Sequence, residues 1–401
     1  MRINVAQGPA IPLSPWANRQ LQAFAALTGS PRLSKIDGAT LLGERASHGG
    51  YTIGGQVSAG NGGSRLLKTR DGGWFALTLM RAEDRELLPA LFMDVGLDIH
   101  DDTAIASAVA LHTCADLVAR GRDLGLPVAS ADEIPVSAPV QKLADGMTRP
   151  RKESHRPLVI DLSSIWAGPL TGHLLWLAGA EVVKVESPAR PDLIRYDDPA
   201  TFDLINQGKA NIAVDLNSKP QKSGLIDLIC RADFVIESSR PRALQHLGID
   251  ADALVAEVPG LVWLTITGHG ASGEAANWVG IGNDCAVAGG LSRALAHATG
   301  EIGYVGDAIA DPLTGIVAAL EGWRAYKTGQ ARRIGFAMSA ITAQALHEER
   351  AHDPAALEAD LHRWGAARGQ SFPQVARRPT SAPARALGAD NARYLPEAAL
   401  C

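Results

Sequence analysis

Between residues 158 and 267 short apolar runs alternate with helix-compatible stretches, and this rhythm constrains the fold more than any other feature of the chain. Leu158-Val159-Ile160-Asp161-Leu162, Val182-Val183-Lys184-Val185-Glu186, Ile212-Ala213-Val214-Asp215-Leu216, Asp233 to Glu237 and Leu261 to Thr267 each have the length of a buried strand. Helical patterns separate them from Pro169 to Ala178, over roughly 220–231 and near 242–257. Strands alternating with helices at these intervals predict a parallel sheet covered on both faces, with ligands at the carboxyl ends of the strands. The loops 163–169, 186–195, 237–242 and 267–284 should therefore gather at one pocket.

The expected fold class is α/β, with a Rossmann-like large domain over 158–340 and a smaller α+β domain over 1–145. The first 48 residues read as weakly helical and carry no chemistry. Glycines then crowd in from Gly49 to Gly63, too densely for a regular element, which predicts a loop that turns tightly or approaches a ligand with its backbone. Ser64 to Thr69 and Trp74 to Leu79 alternate around Asp71-Gly72-Gly73, a hairpin whose turn needs positive φ. Helical patterns at 84–95 and 103–122 lead to Gly125-Leu126-Pro127-Val128. The charged stretch 146–157 reads as a solvated linker, and 341–401 as a polar, basic segment returning to the large domain.

At 401 residues the chain has room for two or three folding units. Its net charge of −5 is scattered, with no basic tract for nucleic acid. Without an apolar run of membrane-spanning length or a leader-like h-region, the expectation is a cytoplasmic protein with no membrane partner. Cys114, Cys230, Cys285 and Cys401 are far apart and lack histidines at ligand spacing, which predicts free thiols and no metal site.

The stretch Gly306-Asp307-Ala308-Ile309-Ala310-Asp311-Pro312-Leu313-Thr314-Gly315 precedes Ile316, Val317, Leu320 and Trp323, an apolar stripe at helical spacing. Asp then Pro predicts an N-cap with proline in the first turn, and a carboxylate ionised at neutral pH. A capping role alone would account for that pattern. The first strand-to-helix turn, Asp161 to Gly172, lacks GxGxxG, so Glu186 at the end of the second strand is weak support for a ribose site. No Walker loop and no GxSxG elbow occurs.

The chain resembles the family III CoA-transferases of the CaiB/BaiF type over about 157–340. The matching pieces are Val159 to Ser163 with Ala167-Gly168-Pro169, Gly179 to Glu186, Asn206 to Leu216, Ala232 to Glu237, and Gly306 to Gly315; Leu387 to Asn391 looks like the family's end. The resemblance implies that Asp311 is the nucleophile, with Asp307 the second candidate, in CoA transfer from an acyl-CoA to a carboxylic acid. No permanently bound cofactor is implied, coenzyme A being part of the substrate. Coenzyme A contacts carry over to Ile165, Trp166, Ala167, Ser238, Ser239 and Arg240, with His246 near the phosphates and Arg195 as a further phosphate partner. Trp166, Trp278 and Tyr304 are candidates to line an acyl pocket.

Two departures qualify the resemblance. Racemases of the family use the histidine of a Gly-His-Asp triplet, which here is Gly282-Asn283-Asp284; Asn283 cannot carry a proton, and His269 is expected on a surface loop. Small-domain motifs that follow the aspartate in the family stand at the front here, so the loop with Gly60, Gly62 and Gly63 is expected over Asp311. The family implies a homodimer, with interlocking in question. The alternatives are an α-methylacyl-CoA racemase-like isomerase, a non-catalytic CoA-binding relative, and a Rossmann-like nucleotide binder.

Overall fold

The computed structural model describes residues 9–61, 63–152 and 154–396; Gly62 and Cys401 lie outside the described residues. Among these, ten strands form two sheets. The first is antiparallel, β1 (Ser64–Lys68), β2 (Trp74–Thr78) and β3 (Val128–Ser130) in that order. Its β1–β2 hairpin turns where expected. Gly72 has φ 81°, and the Asp71 carboxylate accepts from Thr69 Oγ1 at 2.5 Å and from the Cys114 N–H at 3.2 Å.

The second sheet contains β4 (Val140–Thr148), β5 (Leu158–Asp161), β6 (Glu181–Glu186), β7 (Ala210–Ala213), β8 (Phe234–Glu237), β9 (Val262–Thr267) and β10 (Gln330–Ala337). The order is β4-β10-β9-β8-β5-β6-β7, with every pair parallel except β4–β10. Consecutive strand residues supply opposite cores. Val159, Phe234, Ile236, Val262 and Leu264 face one, while Ile160, Val235 and Trp263 face the other, which is why the strands are apolar throughout. Strand order reverses between β5 and β8, so the crevice of the doubly wound sheet opens at the ends of those two strands.

Several boundaries differ from the sequence expectation. The 145/146 boundary falls inside β4, whose edge pairing with β10 claims the first three residues of the expected linker, 146 to 148. The helices Ser14–Thr28 and Gly38–His48 pack on the large unit: Phe24 meets Trp323 edge-on at 6.2 Å, and both share a core with Leu41. Among the described residues the antiparallel sheet keeps a separate core with its helices on one face, around Phe75, Leu88 and Leu117, while Leu66 and Ala76 on the other face pack with Val287 and Ala288. The helical pattern at 103–122 breaks into Asp102–Val109 and Cys114–Asp123, where Thr113 caps the second helix by accepting from the Asp116 N–H. The closing segment returns to the edge strand β7: Asp390 accepts from the Asn211 N–H, and Asn391 accepts from the Ala213 N–H and donates to its carbonyl.

Candidate active site

Asp311 sits at the start of the Ala310–Thr328 helix, but not as its cap. The helix begins at Ala310 with Ile309 in the N-cap position, so Asp311 is its second residue and makes no cap bond there. The carboxylate instead lies beside the N–H of Ala167, the first residue of the Ala167–Leu177 helix, which favours its ionised form. Gly282, the first residue of the Gly282–Ala288 helix, packs so closely that a Cβ there would overlap Asp311 Oδ2. Three helix beginnings thus converge on one side chain.

Despite that setting the carboxylate is not held fully ionised at neutral pH. Only 7% of Asp311 is exposed, and desolvation lifts its pKa to about 7. Arg45 and the Ala167 amide oppose the rise, while Asp284 and Asp307 add to it. The expectation of a fully ionised carboxylate at neutral pH is therefore corrected: burial outweighs the helix termini.

The two turns beside Asp311 are strained. Ile165 has φ 71° and Ala308 φ 43°, left-handed values that are rare for residues with a Cβ and cost about 1–3 kcal/mol each unless their surroundings impose them. For Ile165 the imposing group is Asp192, whose Oδ1 accepts the Ile165 N–H at 3.0 Å. Asp192 Oδ2 takes Lys184 Nζ at 2.9 Å, and the same ammonium donates to the Ser163 carbonyl at 2.9 Å. Below it Lys209 Nζ, fully buried, reaches Asp161 Oδ2 at 2.8 Å, the Pro169 carbonyl at 2.7 Å and Asn206 Oδ1 at 2.9 Å. These charged pairs, supplied by β5, β6 and the segment before β7, fix the turn that delivers the Ala167 amide.

On the other side Ala308 donates its N–H to Asn283 Oδ1 at 3.0 Å, and Asn283 Nδ2 donates to Ser64 Oγ at 3.0 Å. Asn283 thereby ties the turn before Asp311 to β1 of the small sheet.

The N-terminal segment, read as lacking chemistry, brings a cation to the site. Arg45 binds Asp307 through Nε at 2.7 Å and Nη2 at 2.5 Å, and its guanidinium lies 4.5 Å over the Trp166 ring. Asp307, the second candidate nucleophile, is thus a buried half of an ion pair.

The remaining expected residues divide. Ser238 Oγ accepts the Ser164 N–H at 3.1 Å, which ties the β5 and β8 loops together at the crevice. Ser239 is half-buried; Arg240 is exposed near Gly125 of the small unit, and His246 is exposed at the end of the Pro241–His246 helix. Arg195 is not free for a phosphate: Nε and Nη2 bind Glu186, and Nη1 donates to the Arg385 carbonyl. Trp166 is 2% exposed beneath Arg45, so its side chain offers no open face to a ligand. Gly60, at φ 69°, lies flat on the Tyr51 ring, and Gly63 abuts the Leu79 backbone. Trp278 lies under Arg122 at 3.8 Å, and Tyr304 is buried. His269 is buried too, 3.8 Å from Asp284 Oδ2, contrary to its expected surface position. A cleft of about 630 Å³ lies apart from Asp311, between Lys68, Trp74, Arg293, His297 and Arg368.

A family model described as CoA-transferase family III matches residues 157–376, more than half of the chain and including every element that touches Asp311 from the large sheet. The chain belongs to CoA-transferase family III. Its similarity to curated members is partial. It is 30% identical over 174 residues to the probable fatty acyl-CoA transferase Rv3272 of Mycobacterium tuberculosis, covering 40% of this chain and 43% of the relative. Cinnamoyl-CoA:phenyllactate CoA-transferase of Clostridium sporogenes is 36% identical over 126 residues, 29% of this chain and 30% of the relative. Succinate–glutarate CoA-transferase of Agrobacterium fabrum is 31% identical over 198 residues, 45% and 49% respectively. This family III chain therefore spans less than half the length of these relatives. A crystal structure of Rv3272 superposes with a TM-score of 0.45 at 26% identity, covering 51% of this chain and 61% of that one. No helix among the described residues of the family III chain is long and apolar enough to cross a membrane.

Proposed function

We propose that this family III chain is an acyl-CoA:carboxylate CoA-transferase in which Asp311 carries the exchange. The observation that carries the reading is the placement of a poised carboxyl, with a pKa of about 7, against the amide of Ala167 in the loop expected to hold coenzyme A. A group that titrates near neutrality is available as a nucleophile without being locked into a salt bridge. Of the two carboxylates in the motif, Asp307 is already claimed by Arg45.

Ionised Asp311 attacks the donor thioester carbonyl and expels CoA thiolate, leaving a mixed aspartyl-acyl anhydride. The thiolate attacks the aspartyl carbonyl of that anhydride, releases the donor acid with one aspartate oxygen, and leaves an aspartyl-CoA thioester. The acceptor carboxylate displaces the thiolate from this thioester, giving a second anhydride. Thiolate attack on the acceptor carbonyl yields the new acyl-CoA and restores Asp311, now holding one oxygen from the acceptor. The Ala167 amide and the neighbouring helix starts supply donors where the oxyanions form.

Asn283, with both ends of its amide engaged, provides no proton carrier for the racemase reading. The test of transferase function is a matrix of acyl-CoA donors against free carboxylic acids, followed by chromatography of the CoA esters. Exchange for at least one pair by the wild-type chain, lost in Asp311→Ala, supports the proposal. Equal exchange by the Asp311→Ala chain overturns it. A homodimer is part of the same proposal, read from the family.

A further inference from the structure

We infer that His269, Asp284 and Cys285 form a binding site for a borderline-soft divalent cation, zinc foremost. His269 comes from the loop after β9, and Asp284 and Cys285 from the first turn of the Gly282–Ala288 helix. All three are at most 2% exposed. His269 Nε2 and Asp284 Oδ2 are 3.8 Å apart, Cys285 Sγ is 3.8 Å from the same oxygen, and the three donor atoms lie within 4.8 Å of one another. A tetrahedral ion with ligand bonds of about 2.0–2.3 Å holds a nitrogen–oxygen or sulfur–oxygen pair roughly 3.3–3.7 Å apart, so two of the three edges need contract by only about half an ångström or less.

A second observation points to a ligand. His269 Nε2 is buried without a hydrogen-bond partner among the described residues, a costly state for an imidazole nitrogen aimed at a carboxylate too distant to bond. Asp284 uses Oδ1 to accept the Ile281 N–H at 3.0 Å, which leaves Oδ2 turned toward the histidine and the thiol. Space exists because position 280 is glycine: a Cβ there would stand 2.7 Å from Cys285 Sγ and 2.9 Å from His269 Nε2. The imidazole is braced edge-on by Trp278 at 5.9 Å, whose ring is covered by Arg122 at 3.8 Å. Such outer packing fixes the orientation of a ligating histidine.

One nitrogen, one sulfur and one oxygen suit zinc and exclude the all-oxygen preference of magnesium and calcium. Three protein donors leave a fourth position for water. On binding, Cys285 forms its bond to the metal as thiolate and its proton goes to solvent. The site does not depend on the role given to Asp311.

The test uses the full chain, stripped with a chelator and titrated with Co²⁺. One equivalent should bind with a sulfur-to-cobalt charge-transfer band, which Zn²⁺ abolishes by displacement. Cys285→Ser should lose the band, and the triple variant Cys114→Ser/Cys230→Ser/Cys401→Ser should keep it. Gly280→Ala, which fills the space between the donors, should weaken uptake by about 10–100-fold. A folded wild-type chain that retains no Co²⁺ after gel filtration, or a band that survives Cys285→Ser, overturns the inference. CoA exchange, assayed separately on Asp311→Ala, reads the other proposal.

Discussion

Arg45 grips Asp307 with two guanidinium nitrogens, at 2.7 and 2.5 Å, across 262 residues of sequence. The pair is buried on the Asp307 side and stacked on Trp166. Removing one partner strands the other: Arg45→Met should cost about 3–5 kcal/mol in urea denaturation, because a buried carboxylate loses its counter-charge. The double variant Arg45→Met/Asp307→Leu should recover more than half of that loss. Additive losses in the double-mutant cycle would show that the two side chains do not interact.

Asp311 makes stability depend on pH. Its folded pKa of about 7 lies above the ordinary carboxyl value of 3.8, so the folded chain keeps a proton that the unfolded chain releases. The sign follows: stability falls as pH rises through that window, with the cost absent below pH 3.8 and complete above about 7. Across that window the loss amounts to at most roughly 4 kcal/mol. Asp311→Asn should therefore be more stable than wild type at alkaline pH, with the advantage shrinking toward pH 4, as read by denaturation at a series of pH values.

Gly282 leaves room for the carboxylate. Gly282→Ala would push a methyl group into Asp311 Oδ2 and the Ala308 carbonyl. Single-turnover acyl transfer should fall by about 100-fold through misplacement of the nucleophile. The folding cost should stay near 1–3 kcal/mol, the usual range for local overpacking. A variant with wild-type turnover would remove Gly282 from the site.

Asn283→Asp keeps an acceptor for the Ala308 N–H and sets another negative charge beside Asp311. The rate of acyl transfer should rise with pH through a midpoint displaced upward by about one unit, since a like charge disfavours ionisation. An unchanged midpoint in the pH–rate profile would separate Asn283 from the electrostatics of the site.

The sheet was legible in the sequence because Val159-Ile160 and Val235-Ile236 feed opposite cores and so leave apolar runs of strand length. The helix start at Asp311 was legible because Pro312 and the apolar stripe Ile316, Val317, Leu320 and Trp323 adjoin it in sequence. Arg45 was not, because nothing in the Gly38–His48 helix marks a residue whose partner lies on a distant turn. Nor was the state of Asp311, since local capping rules carry no information about burial by Ala167 and Gly282. His269 and Cys285 lie 3.8 Å from a shared carboxylate oxygen, yet sixteen positions separate them in sequence, beyond the spacings that flag ligand pairs.

In the proposed exchange the Asp311 carboxyl takes acyl groups from sulfur. Incubating the chain with a donor acyl-CoA accepted in the exchange matrix, trapping with hydroxylamine and mapping the modified peptide by mass spectrometry tests it directly. A hydroxamate on Asp311 in the wild-type chain, and none in Asp311→Ala, is the expected result. A hydroxamate on Asp307 or elsewhere, with Asp311 unmodified during turnover, would contradict it.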